Sequence, residues 1–158
     1  MYKAYLTKKG NGVFTSVRIP KGVPVCEVTG NLYAEDKLPD PTNPAILQVG
    51  PNLFVGPSGD VDDYIRHHCD PNCLLHIVGN RAILYSLYNI PEGSEITFDY
   101  STSSTDTTDT WKMECNCGSP KCRKTISGLH YLPAEQVKEY SNKGMIPLFL
   151  KESIFKRK

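Results

Sequence analysis

Cysteine placement restricts what this chain can fold into more than any other feature. Three of its six cysteines crowd into Cys115-x-Cys117-x4-Cys122, while Cys26, Cys69 and Cys73 stand well upstream. Thiols on one short loop lower the entropic cost of building a tetrahedral thiolate cage, because several ligands arrive together. A closed structural zinc site needs a fourth ligand, and at this level each upstream cysteine is a candidate. Disulfides are the competing use. However, 158 residues can bury a core without staples, and the start, Met1 to Gly10, carries no apolar export signal. Metal-bound thiolates in a reducing compartment are therefore expected.

Charge narrows the partners. Eighteen Lys and Arg nearly balance seventeen Asp and Glu, and a net charge of +1 gives no field that would draw the molecule onto DNA or an acidic membrane. Direct nucleic-acid binding and membrane attachment are not implied. No segment approaches the roughly 20 apolar residues of a membrane span, so a soluble intracellular protein of cytoplasm or nucleus is expected.

Residues 1 to 35 alternate apolar and polar positions between turns such as Pro20-Lys21-Gly22, predicting short strands. Two brief strands are expected around Ile46 to Val49 and Asn52 to Val55, within a Pro- and Asn-rich insertion. Leu74 to Val78, a Gly79-Asn80 turn and Ala82 to Leu87 predict a hairpin, and Glu95 to Tyr100 predicts another strand. Residues 101 to 110 hold only Ser, Thr and Asp; with no apolar side chain to offset the entropy of ordering, they read as a mobile connector. Near the end, Pro133 at the first helical position and Gly144 as a cap predict a single helix. Met145 to Leu150 is apolar enough to pack back on the body, and Lys151 to Lys158 is expected to fray.

Four ordered elements then stand out: Lys9-Gly10-Asn11-Gly12-Val13-Phe14 followed by Ile19-Pro20-Lys21-Gly22; Arg66-His67-His68-Cys69-Asp70-Pro71-Asn72; Glu95-Ile96-Thr97-Phe98-Asp99-Tyr100; and the cysteine cluster. In that order, over about Tyr2 to Gly128, the chain resembles SET-domain protein lysine methyltransferases with a post-SET zinc-binding tail. The resemblance implies a mostly β fold of small sheets around a threaded, pseudoknot-like segment, with the zinc tail and a C-terminal helix appended. It divides the chain into a SET domain at 1–100, a flexible connector at 101–110, a post-SET segment at 111–128 and a helical extension at 129–158.

The same resemblance selects Cys69 as the fourth zinc ligand beside Cys115, Cys117 and Cys122, leaving Cys26 and Cys73 as small buried groups. It implies S-adenosylmethionine as cofactor, held by Lys9, Gly10, Asn11, Gly12, Tyr64, Arg66, His67 and Trp111. Trp111 has alternatives: it can stack on adenine, line the peptide groove or plug the tail against the body. Tyr100 is the implied catalytic residue, with Phe98 and Tyr85 in the substrate channel. Phe98 falls where the family sets methyl number, and the absence of a hydroxyl there implies di- or trimethyl-lysine. The implied partner is a lysine-containing protein or peptide, histones being the family's frequent target.

The chemistry asks for such residues. Methyl transfer to lysine needs amine, methyl and sulfonium in line, and the amine must first lose its proton. With a free lysine pKa of about 10.4, a narrow apolar channel beside a sulfonium supplies the needed push. Two departures from the family pattern matter. Arg66 and His68 stand where Asn and Ser are usual, and Glu27-Val28-Thr29-Gly30 lacks a frequent tyrosine. Arginine donates but never accepts a hydrogen bond, and its charge opposes sulfonium and ammonium alike. These departures motivate a second reading, a catalytically impaired, zinc-stabilised protein-binding module.

Overall fold

A computed structural model describes residues 2–8, 10–105 and 111–155. Strand segments are short because turn residues interrupt the apolar runs, and the result is five small sheets rather than one large one. The strands β1 (Tyr2–Thr7) and β2 (Gly10–Thr15) form an antiparallel hairpin. Next, β3 (Pro24–Val28) joins an antiparallel sheet of three, and β4 (Leu32–Tyr33), β5 (Leu47–Gly50) and β6 (Leu53–Val55) form another in the order β4-β6-β5. After β7 (Arg66–His67) come β8 (Cys73–Val78) and β9 (Arg81–Ser86), which form the expected hairpin and complete the sheet β3-β9-β8. Alternation along β9 turns Ala82, Leu84 and Ser86 inward.

The step that creates the site is a parallel pairing. The two-residue strand β10 (Thr97–Phe98) lies beside β7, with Thr97 opposite Arg66 and Phe98 opposite His67. Asn72 fastens the crossing: its side chain donates to Glu95 O at 2.7 Å and accepts from Thr97 N at 3.0 Å. Two motifs separated by about thirty residues thus share one buried seam. Around it Val13, Leu47, Val49, Leu75, Leu84, Ile96 and Phe98 form the main core.

Three expectations are corrected here. The predicted strand 95–100 shortens to Thr97–Phe98, and Tyr100 opens a 3-10 turn over Tyr100–Ser103. The front of the predicted connector is part of the interior, since Ser101, Thr102 and Ser103 are all buried. Their polar groups find local partners instead of water: Ser101 N bonds Asp99 Oδ1, Thr102 Oγ1 bonds Asp99 O, and Ser103 Oγ bonds Tyr100 O at 2.8 Å. Thr105 is also held, donating twice to Gln48 Oε1 at 2.8 Å. Residues 106–110 of the connector lie outside the described residues.

The third correction concerns the C-terminus. After the tail hairpin of β11 (Lys112–Glu114) and β12 (Thr125–Ser127) come two helices rather than one, α1 (Ala134–Asn142) and α2 (Leu148–Phe155). Pro133 serves as the N-cap of α1, and Gly144 turns the chain with φ +70°. Pro147 then starts the second helix, accepting from Leu150 N and Lys151 N, so residues 151–155 continue a helix instead of fraying. Met145, Ile146 and Leu150 join Leu129, Leu132 and Tyr140 in a separate small core. Lys156 to Lys158 lie outside the described residues.

Candidate active site and metal cluster

The threaded seam delivers Tyr100 to the wall of a cavity of about 240 Å³ that also involves Trp111, Phe54, Gln48, Leu38 and Glu35. The β4–β6 insertion forms one wall and the segment 103–105 another. Tyr100 is 7% exposed, and its hydroxyl donates to Ile65 O at 2.6 Å. Burial lifts the phenol well above its ordinary pKa, so it stays a neutral hydroxyl. Aromatic rings fix its direction: Phe98 lies 4.9 Å away between ring centroids, His67 5.5 Å and Trp111 6.5 Å.

A second cavity, of about 180 Å³, lies beside His67 and includes Arg66, His68, Glu95, Met113 and Cys117 in its lining. Arg66 and Glu95 face each other there as a bidentate pair, Nε on Oε1 and Nη2 on Oε2 at 2.7 Å. Glu95 therefore neutralises the arginine whose charge appeared unfavourable in the sequence. Gly12 borders the pair so closely that a Cβ on it would sit 2.7 Å from Glu95 Oε1 and 3.2 Å from Arg66 Nε. Any larger residue at position 12 would have to push these side chains aside. His67 links the two cavities, with a ring 4% exposed and a pKa drawn down by burial to about 4. Its Nδ1 accepts from Tyr100 N at 3.2 Å, which leaves the proton on Nε2, 3.2 Å from Cys69 Sγ.

Cys69, Cys115, Cys117 and Cys122 converge, their sulfurs all lying within 4.8 Å of one another. The Cys69–Cys115 and Cys115–Cys122 separations are 3.8 and 3.7 Å. Four ligands at the Zn–S distance of about 2.3 Å stand about 3.8 Å apart at the corners of a tetrahedron, so the donor set fits zinc. The Lys124 backbone N–H pulls Cys122 down to about 7, which favours thiolate there. Cys26 and Cys73 behave otherwise: burial pushes them up to about 11 and about 12, as for inert thiols.

Several residues grouped in the sequence do not meet. Trp111 shares the Tyr100 cavity rather than the one beside Arg66 and His67, because β11 starts next to the 100–105 segment. Tyr85 points to the outer side of β9, opposite the inward Leu84, and stands edge-on to His76 at 5.7 Å; it lines neither cavity. Tyr64, 42% exposed, lines neither. Lys9 lies outside the described residues. Gly10 is exposed and has φ +96°, and Asn11 is half-buried.

The sequence reading missed a buried hub. Asp99, whose side chain has no exposure, takes Arg123 Nη1 at 2.6 Å and Nη2 at 2.7 Å, and Tyr140 OH at 2.7 Å. Burial opposes the charge, yet the Arg123 guanidinium holds the carboxyl below the usual range. The available signal was a charged residue inside an otherwise apolar Phe-Asp-Tyr run.

The SET domain family model matches residues 10–101. Among similar curated proteins, histone-lysine N-methyltransferase set1 of Dictyostelium discoideum is 40% identical over 73 residues, covering 44% of this chain and 5% of that protein. Histone-lysine N-methyltransferase ash1 of Drosophila melanogaster is 28% identical over 148 residues, covering 82% of this chain and 7% of that protein. The chain thus spans a small fraction of these relatives. Among solved structures, KRYPTONITE in complex with mCHH DNA, an H3(1-15) peptide and SAH aligns with TM-score 0.64 and 25% identity, over 80% of this chain and 29% of that one. Arabidopsis thaliana SUVH6 in complex with SAM aligns with TM-score 0.66 at 20% identity, over 80% and 33%, and shares the fold. With the family matched across more than half its length and its motifs gathered on one seam, the chain belongs to the SET domain family.

Proposed function

We propose that this protein is an S-adenosylmethionine-dependent protein-lysine N-methyltransferase, with a lysine-containing protein, histones among the candidates, as substrate. The observation that carries the reading is Tyr100: a buried phenol at a cavity wall, its hydroxyl anchored on Ile65 O and its ring flanked by Phe98 and Trp111. When bound, the cofactor supplies a methyl group on a sulfonium, an electrophile that needs no metal or base to form.

The residues around it do the rest. Substrate lysine enters the reaction as a free amine whose proton has gone to water; burial beside the Phe98 and Trp111 rings disfavours an ammonium at Tyr100, although the rest of the cavity wall carries Glu35, Asn43 and Gln48. Because Tyr100 gives its proton to Ile65 O, the phenol oxygen presents lone pairs that accept an N–H and aim the amine. Its raised pKa keeps it from acting as the base. Arg66, Glu95 and His67, with Gly12 packed against the ion pair, line the cavity suited to the cofactor's charged end, where the carboxylate meets arginine and the ammonium meets glutamate. Zinc on Cys69, Cys115, Cys117 and Cys122 fixes the tail that supplies Trp111 and Met113 to the two cavities. Phe98 is 2% exposed and lines neither cavity, but its ring packs on Tyr100 and brings no hydroxyl that would hold a water there, which supports di- or trimethyl-lysine as the product.

The test is transfer of labelled methyl from S-adenosylmethionine to mixed histones and to cell extract. Wild type should label a protein, and Tyr100→Phe should lower kcat on the order of 100-fold, the usual cost of one site hydrogen bond aimed at the reacting atoms. An active Tyr100→Phe enzyme would remove the assigned role. Wild-type protein that binds neither S-adenosylmethionine nor its demethylated product would favour the impaired binding module instead.

A further inference from the structure

The Asp99 hub lies between Phe98 and Tyr100 in sequence and draws partners from two distant parts of the chain. Arg123 comes from the tail, directly after Cys122, and Tyr140 comes from α1, forty-one residues away from Asp99. Gln136 Nε2 donates to Tyr140 Oη at 2.9 Å, so the tyrosine's own proton is directed at Asp99 Oδ2. Tyr140 Oη also approaches Cys69 O at 3.5 Å. Arg123 spreads over both Asp99 oxygens and reaches Ser101 Oγ at 3.1 Å.

The backbone connects this hub to the phenol. Asp99 Oδ1 accepts from Ser101 N, Asp99 O accepts from Thr102 N at 2.9 Å, and Tyr100 lies inside the turn these bonds close. The rotation of that turn sets where the Tyr100 hydroxyl points. We propose that Tyr140 is a positioning residue for Tyr100, acting through the Asp99 carboxylate, so that helix α1 is a working part of the methyl-transfer site rather than an appended cap. This rests on the methyltransferase reading above. A buried carboxylate satisfied by a guanidinium on one side and a phenol on the other has one preferred orientation; with the phenol hydroxyl gone, Oδ2 loses a fixed partner and the turn gains freedom.

Tyr140→Phe keeps the ring in the small core and removes only the hydroxyl. In the zinc-loaded protein it should lower kcat roughly tenfold while the KM values for cofactor and peptide stay within about twofold, because the binding walls are untouched. Gln136→Leu, which frees the tyrosine proton from its guide, should give a smaller loss of kcat in the same direction. Glu139→Gln breaks the exposed Glu139–Lys143 pair on the same helix without touching Asp99, and should leave kcat unchanged. A second readout does not depend on turnover. Trp111 is the sole tryptophan and stands 6.5 Å from Tyr100, so its acrylamide quenching reports the same wall. Tyr140→Phe should raise the quenching constant about twofold as the turn loosens.

The outcomes separate cleanly. Tyr140→Phe with wild-type kcat and wild-type quenching overturns the positioning role, whatever happens to its melting temperature. A loss of kcat that Glu139→Gln reproduces overturns it as well, by showing a general effect of the helix. Wild-type protein that transfers no methyl sinks the functional reading alone, and the quenching comparison still decides between a Tyr140 that orders the Tyr100 wall and one that does not.

Discussion

Two bidentate arginine–carboxylate pairs flank the seam: Arg123 grips Asp99 end-on through Nη1 and Nη2, and Arg66 grips Glu95 side-on through Nε and Nη2. Arg123 and Asp99 are 14% and 0% exposed, whereas Arg66 and Glu95 are 23% and 24% exposed. The first pair has the remaining lone pairs of its carboxylate filled by Ser101 N and Tyr140 OH, and the Arg123 Nε that is left over is buried away from solvent. The second borders a cavity and keeps contact with water. The same kind of ion pair thus meets two settings: a desolvated carboxylate with its lone pairs filled makes a clasp, and a part-solvated pair at a cavity wall suits the recognition role proposed for it.

The largest effect that separates them is loss of the metal. The clasp's arginine follows directly on a cysteine of the cluster, with Arg123 N 3.4 Å from Cys69 Sγ, while Arg66 and Glu95 belong to the body. Structural zinc contributes on the order of 10 kcal/mol in small peptides, so its withdrawal should release the tail. Native mass spectrometry should show one zinc lost to a strong chelator. Hydrogen exchange should then accelerate across β11 and β12 but not across β8 and β9. Equal exchange in both hairpins would mean that the metal does not hold the tail.

Next in size is Asp99→Asn, which strands a buried guanidinium. Breaking such a pair costs about 3–5 kcal/mol, against under about 1 kcal/mol for the part-solvated pair in Glu95→Gln. Urea unfolding of the two variants measures the contrast directly. Equal midpoints would show that burial does not distinguish the pairs. The direction with pH is set as well: Asp99 is held below its unfolded pKa, so its stabilisation is present above that unfolded value and is lost as pH falls through the folded one.

The cysteine arithmetic and the four ordered motifs made the fold and the four-cysteine cluster legible, because both depend on local patterns that survive in any context. The β8–β9 hairpin was legible for the same reason, with a two-residue turn and alternating faces. What stayed hidden needed long-range geometry. Ser101 to Ser103 look like connector by composition, and only the carbonyls and carboxylate of the preceding seam make their burial possible. Tyr140 sits on the helix that Pro133 and Gly144 predict, but no local signal points its hydroxyl at Asp99. Which cavity Tyr85 or Trp111 meets was not legible either, because strand parity and the path of the tail decide it.

The smallest effects sharpen the recognition side, where stability hardly changes and charge is read by the ligand. Arg66→Asn installs the residue usual at this place in the family and leaves Glu95 without its partner, making the cavity one unit more negative. Glu95→Gln does the reverse. One elementary charge at a part-solvated wall is worth about 1 kcal/mol, a factor of roughly five. S-adenosylmethionine carries a sulfonium and its demethylated product a neutral thioether, so the ratio of their affinities reports the sign. By calorimetry, Arg66→Asn should shift that ratio toward S-adenosylmethionine by about this factor, and Glu95→Gln should shift it toward the product. Shifts of the same sign in both variants would show that the pair shapes the cavity by packing alone, and its contrast with the Asp99 clasp would then be one of position rather than of electrostatics.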